Sequence, residues 1–217
     1  MTTLLTTEPV QLGPLALPGD LVLPHRPLGL VMFVHGSGSG RHSPRNRWVA
    51  DVFHRHHLGT LLFDLLTEEE AQDRRKVFDI ELLGRRVVEA IHWTSHHPEL
   101  AHLHLGLFGA STGAAAALVA AAGQPARVAA VVSRGGRPDL AMDALPQVQA
   151  PTLLIVGGLD TEVLALNRQA LRRLKAPRRL EVVPGANHLF EEPGALGSVA
   201  IFASCWFEQY LGIERHP

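Results

Sequence analysis

Three side chains in this sequence have the types and the order needed for nucleophilic catalysis. Ser111 is the centre of Gly109-Ala110-Ser111-Thr112-Gly113, Asp160 ends Gly157-Gly158-Leu159-Asp160, and His188 ends Gly185-Ala186-Asn187-His188. A serine hydroxyl is a poor nucleophile unless a base takes its proton during attack. Imidazole titrates near neutrality, so His188 can accept that proton and return it to a leaving group. A carboxylate behind the imidazole fixes its tautomer and stabilises the imidazolium, which is the role expected of Asp160. The chemistry open to such a set is acyl transfer through a serine ester.

These residues act together only if the chain holds them together. Ser111 lies between a short apolar run, His104 to Phe108, and an Ala-rich run, Ala114 to Ala122, which reads as strand, tight turn and helix with the serine at the apex. So sharp a turn leaves no room for side chains two positions either side, hence Gly109 and Gly113. Elsewhere strands and helices alternate. Val10 to Leu23, broken by Gly13-Pro14 and Pro18-Gly19, predicts two short strands; Leu28 to Val34, Thr60 to Phe63, Leu103 to Phe108, Val128 to Val132, Leu153 to Val156 and Leu180 to Val183 predict six more. Ser43-Pro44 has the form of an N-cap with proline at the first helical position, ahead of Trp48, Val49, Val52 and Phe53 at helical spacing. Further helices are predicted over Val77 to Ser95, Thr112 to Ala122, Glu162 to Leu174 and Leu196 to Tyr210. Repeated strand–helix units imply an α/β fold, a mostly parallel sheet with helices on both faces.

In such sheets function collects at the C-terminal ends of the strands. Those ends carry His35-Gly36-Ser37-Gly38-Ser39-Gly40, Asp64, the Ser111 turn, Ser133 to Arg137, Asp160 and His188. The order Ser, Asp, His is the one expected of an α/β-hydrolase. Each piece has a plainer reading. Ser111 could be an ordinary turn serine, Asp160 an N-cap for the helix at Glu162, and His188 a loop histidine. Glu162 competes weakly as the acid, and His35 reads as structural. The GSGSG run lacks the GK[ST] ending of a phosphate-binding P-loop.

On HGSGSG at 35–40, GASTG at 109–113, GGLD at 157–160 and GANH at 185–188, the chain resembles a small bacterial α/β-hydrolase of the dienelactone-hydrolase-like group. The likeness runs from about Leu17 to the last helix. It implies Ser111 as nucleophile, Asp160 as acid and His188 as base. Dienelactone hydrolase itself has cysteine at the elbow; here the elbow is Ser111, and Cys205 lies in the last predicted helix. Ester cleavage is therefore expected rather than lactone opening. The oxyanion would be held by the backbone N–H groups of Thr112, at a helix start, and Ser37. A thioesterase or acyltransferase would use the same triad, and a non-catalytic binding protein on this fold is the alternative of a different class.

Composition bounds the rest. The chain has 217 residues, a net charge of −1 and one cysteine. It is expected to form a single α/β-hydrolase domain over 1–217, cytoplasmic, a monomer or homodimer, acting on a small-molecule ester. No basic block points to nucleic acid, no apolar run is long enough for a membrane span, and the segment Met1 to Glu8 lacks the features of a signal peptide. Only Ser133 to Pro151 separates two successive strands where larger relatives insert a cap, so no cap domain and an open pocket are expected. The chain has 13 histidines. None has a convincing set of companions, so no metal or other cofactor is expected. Arg41, Arg134 and Arg137 are candidate substrate-binding residues through recognition of an anionic group, against the plainer reading of salt bridges to Asp64, Asp139 or Glu192. Phe190, two residues past His188, is the candidate pocket-lining aromatic; Trp48, Trp93 and Trp206 read as core.

Overall fold

The computed structural model describes residues 5–212; Met1 to Leu4 of the N-terminal segment lie outside them. Eight strands form one sheet in the order β1-β2-β4-β3-β5-β6-β7-β8. They are β1 (Thr7–Leu12), β2 (Leu17–Val22), β3 (Gly29–Val34), β4 (Leu58–Phe63), β5 (Leu105–Ala110), β6 (Val128–Arg134), β7 (Thr152–Gly157) and β8 (Arg178–Val183). The β1–β2 and β2–β4 pairs are antiparallel and the remaining five are parallel. Strands β3, β4, β5 and β7 are buried at every position, as unbroken apolar runs covered on both faces must be.

The helices are α1 (Pro44–Arg55), α2 (Glu68–Gln72), α3 (Arg74–Val77), α4 (Ile80–His96), α5 (Thr112–Gly123), α6 (Thr161–Arg173) and α7 (Ala195–Leu211). Alternate strand residues feed two separate cores. Met32, Leu61, Leu107 and Val131 face α4 and α5, whereas Val31, Phe33, Leu62 and Phe108 face α1 and α7. Helix α5 is buried on almost every side, so its run of alanines keeps it thin enough to lie between the sheet and α4.

Several local expectations meet a physical reason in the structure. Ser43 caps α1, its Oγ accepting from the Asn46 N–H at 3.4 Å, with Pro44 at the first helical position. The helix predicted from Val77 starts instead at Ile80, because Asp79 caps it by accepting the Leu82 N–H at 2.9 Å. Residues 68–72 form a short helix because Thr67 and Glu70 cap each other reciprocally. On α1, Val49, Val52 and Phe53 are buried, but Trp48 is 44% exposed and lies outside the core. The segment after β6 makes two 3-10 turns, Pro138–Ala141 and Leu145–Gln147, whose Ala141 and Leu145 join the α5-side core. It is packed down on the domain, so there is no cap. Among the described residues no helix is long and apolar enough to cross a membrane.

Strand β4, which follows β3 in the chain, lies on one side of it, and the next strand, β5, lies on the other. The chain therefore reverses its direction of travel across the sheet here, and the C-terminal ends of β3 and β5 open onto the crevice where α/β sheets place their ligands. Four phenylalanines support this point from below. Phe33 on β3 and Phe108 on β5 have ring centroids 5.0 Å apart, and Phe53 of α1 sits 5.5 Å from Phe108 and 5.7 Å from Phe207 of α7.

The tightest contact in the crevice is Gly113. A Cβ placed there would sit 2.2 Å from the Val34 carbonyl oxygen and 2.4 Å from that of His35, and neither backbone can yield. Gly113→Ala is expected to destabilise the fold by about 1–3 kcal/mol, read as a lower urea midpoint with an unchanged slope.

Candidate active site

Ser111 closes β5 and opens α5 with φ 50° and ψ −123°, a conformation that costs a non-glycine residue on the order of 1–3 kcal/mol. It persists because the surroundings over-determine it. The Ser111 N–H donates to the Arg134 carbonyl at 3.2 Å, and the Ser111 carbonyl accepts from Arg137 N–H at 3.0 Å and Ala114 N–H at 3.1 Å. Gly109 leaves the space the turn needs, since a Cβ there would lie 2.5 Å from the Ala114 Cα.

His188 and Asp160 come from the ends of β8 and β7. The His188 Nδ1–H donates to Asp160 Oδ2 at 2.7 Å, which leaves Nε2 as the acceptor nitrogen. Asp160 does occupy the N-cap position of α6, yet its side chain makes no capping bond there. Its carboxylate is directed to the imidazole, and Glu162 stands exposed on the first turn of the helix. Asn187 steadies the histidine loop: its N–H and its Nδ2–H both donate to Glu192 Oε1, at 3.0 and 2.6 Å.

Ser111 and His188 line one open cleft of about 480 Å³, together with the Gly36-to-Gly40 loop, Arg45 and Arg134. Thr112, at the first position of α5, is tied to that loop: the Ser37 N–H donates to Thr112 Oγ1 at 3.0 Å. The two expected oxyanion donors are thus held side by side, with the Ser37 N–H already occupied by the neighbouring hydroxyl. The loop is anchored on its other side by His35, whose Nδ1–H donates to the Gly36 carbonyl at 3.0 Å while Nε2 accepts the Leu65 N–H at 3.0 Å. This pattern requires the neutral ring, and burial pushes the His35 pKa below its usual value.

The four substrate-binding candidates separate. Arg41 is committed to Asp64, through Nη1 to Oδ2 and through its backbone N–H to Oδ1 at 2.8 Å. Arg137 forms two bonds to Asp139, at 2.9 and 2.8 Å. Phe190 does not line the cleft; it is 1% exposed and packs in the α1–α7 core, because its positive φ of 54° turns it inward. Arg134 alone stays in the cleft. Its Nη1 is shielded from water and has no hydrogen-bond partner. Desolvation, with a smaller contribution from the Arg45 charge, pushes its pKa down to about 10. Arg45 itself reaches Glu191 at the rim, 2.7 Å away. Arg45 follows the glycine-rich loop in sequence, as Arg41 and Arg47 do, and was open to the same anion-binding reading, whereas Glu192 was weighed only as a salt-bridge partner for the arginines; for Asn187 the GANH motif followed four residues later by an acid was the one available sign.

Comparison with known proteins bears on this site. The Dienelactone hydrolase family model matches residues 49–204. The chain belongs to the dienelactone hydrolase family. A solved dienelactone hydrolase from Anabaena variabilis is 55% identical, with a TM-score of 0.92 over 96% of this chain and 98% of that one. A carboxyl esterase from the fungus Tuber melanosporum shares the fold at 18% identity, with a TM-score of 0.76 over 97% of this chain and 89% of its own. A Mycobacterium tuberculosis protein provisionally named a phosphoribosyl transferase is 56% identical over 95% of this chain. The alignment spans 47% of that relative, so the chain covers about half its length.

Two outcomes follow from the local geometry. Replacing Ser111 with glycine relieves the strained backbone, so Ser111→Gly is expected to raise the melting temperature while Ser111→Ala leaves it nearly unchanged. Acid should act through His35 and through His54, whose pKa burial also lowers. Below about pH 6.5 an unfolded histidine takes up a proton that the folded one refuses. Stability is therefore complete above that pH and falls as pH drops toward the depressed folded values. A urea midpoint that declines between pH 7.5 and 5.5 in the wild type, and declines less in His35→Asn, is the expected result.

Proposed function

We propose that the protein hydrolyses small carboxylic esters through an acyl-enzyme on Ser111. The observation that carries this reading is the 2.7 Å bond from His188 to Asp160 at the mouth of the cleft that also contains the strained Ser111. In the first half-reaction His188 Nε2 takes the Ser111 proton as Oγ attacks the ester carbonyl, and Asp160 stabilises the imidazolium. The carbonyl oxygen becomes an oxyanion held by the Thr112 N–H, where the α5 dipole adds to the attraction, and by the Ser37 N–H, which swings its bond from Thr112 Oγ1 to the oxyanion. Collapse of the tetrahedral adduct breaks the ester C–O bond, and His188 returns the proton to the departing alcohol. Water then enters by the same route, with His188 as base, and releases the acid from Ser111.

Open access to the cleft favours short acyl groups. The phosphoribosyl transferase name belongs to a protein about twice as long, and we assign no ribosyl transfer to the part aligned here.

The test is hydrolysis of 4-nitrophenyl acetate and butyrate, combined with intact-mass detection of a fluorophosphonate adduct. Ser111→Ala and His188→Ala are each expected to lose at least about 10³-fold in kcat, and Asp160→Asn about 10⁴-fold. A single adduct is expected on wild type and none on Ser111→Ala. Unchanged turnover in folded Ser111→Ala would remove the serine mechanism, and absence of both turnover and adduct in wild type would favour the non-catalytic reading.

A further inference from the structure

The cleft has a charge pattern that ester hydrolysis does not require. Among the described residues no aspartate or glutamate lines it, whereas Arg45 and Arg134 both do. Each neighbouring arginine near the strand ends has its own carboxylate: Arg41 has Asp64 and Arg137 has Asp139. Arg134 has neither an ion pair nor a hydrogen bond to its buried Nη1 among the described residues. An unpaired, desolvated guanidinium costs the fold several kcal/mol in general and is retained where something supplies the counter-charge. Its address is specific. Arg134 ends β6, in register beside Ala110, and its carbonyl receives the Ser111 N–H. The side chain that lacks a partner therefore stands one strand away from the nucleophile.

A second positive feature meets it. Helix α1, 12 residues long, starts with Ser43, Pro44 and Arg45 on the wall of the same cleft. Pro44 has no N–H and Ser43 Oγ takes the Asn46 N–H, so the Arg45 N–H is the backbone donor left at this end of the helix, where the dipole is positive. The Arg45 charge stands close enough to disfavour the charge of Arg134. Arg45 already meets Glu191 at the exposed rim, 2.7 Å away, so the charge left without a counter-ion is that of Arg134; a guanidinium fork fits the oxygens of a phosphate group, whose further oxygens can reach Arg45 in competition with that solvent-exposed pair.

We propose that Arg134, Arg45 and the start of α1 form a subsite for a phosphate group carried by the substrate of the Ser111 reaction. The proposal rests on the esterase reading for its substrate but not for its binding measurement. The subsite orients a phosphorylated ester by its dianion while the ester carbonyl lies over Ser111, and no covalent change occurs at the phosphate.

Calorimetry with phenyl phosphate, benzoate and benzyl alcohol at fixed ionic strength tests it on the free protein. Phenyl phosphate is expected to bind at least tenfold more tightly than benzoate, with no binding of benzyl alcohol. Arg134→Gln is expected to weaken phenyl phosphate at least tenfold, Arg45→Gln about threefold or more, and the exposed Arg172→Gln not at all. Since Arg134 has no partner to abandon and its charge is desolvated, Arg134→Gln should melt no lower than the wild type; if it does not fold, Arg45→Gln carries the same comparison. Equal binding of phenyl phosphate by wild type and Arg134→Gln, or equal binding of benzoate and phenyl phosphate, would overturn the phosphate subsite. So would no binding by the wild type. Phosphate binding with no turnover of any ester would instead count against the esterase reading and leave the subsite standing.

Discussion

The backbone of Ser111 is the constraint on which the site depends. A φ of 50° at a serine is tolerated only where neighbouring strands hold it. Here β6 holds it from one side through the Arg134 carbonyl and the Arg137 N–H. Strand β3 presses from the other, with the Val34 and His35 carbonyls against Gly113. One turn thereby fixes the relative height of three strand ends. The Gly36-to-Gly40 loop leaves β3 at that height and the unpaired arginine leaves β6 there. Loosening the turn would move all of these relative to one another, and a 1 Å displacement is enough to cost about 10²-fold in rate.

Charge is distributed across the same surface by pairing. Asp160 serves His188, Asp64 serves Arg41 and Asp139 serves Arg137, so three of the acids near the strand ends are spoken for. The pairing keeps carboxylates out of the cleft lining, where they would repel an attacking alkoxide and a developing oxyanion. It also isolates Arg134. Its lack of a partner is informative because the arginines around it are satisfied.

Much of this was legible in the sequence, and the limits have physical causes. Six strands were visible as short apolar runs and the first two as one broken run, although Pro18-Gly19, read there as a break, lies inside β2; the sharp turn at Ser111 was visible because only glycine fits at 109 and 113. The family resemblance, read from four motifs, agrees with the match over residues 49–204. The helix at Val77 was set too early because periodicity does not register a cap such as Asp79. Trp48 was taken for core because an apolar side chain on an amphipathic helix carries no mark of which edge of the stripe it occupies. Phe190 was placed at the pocket by proximity to His188, but proximity in sequence does not say which way a left-handed residue turns. For the arginines the plainer reading named the right acids, Asp64 and Asp139, but not which arginine goes without one, since Asp64 lies 23 residues from Arg41 and pairing is a property of the fold.

The absence of a lid gives the charges their importance. The segment that would carry one is committed to the core through Ala141 and Leu145, so the cleft stays open to water. A small neutral ester in such a cleft removes little apolar area from solvent, and at about 25 cal/mol per Å² it gains little binding free energy from burial. Orientation over Ser111 then has to come from directional polar contacts. The oxyanion donors provide them only once the tetrahedral adduct forms. A fixed guanidinium one strand away provides one in the ground state, and its long reach permits the anion and the ester to occupy different parts of one small molecule. An open α/β-hydrolase of this size can thus be selective without enclosing its substrate, provided the substrate brings the charge that Arg134 lacks.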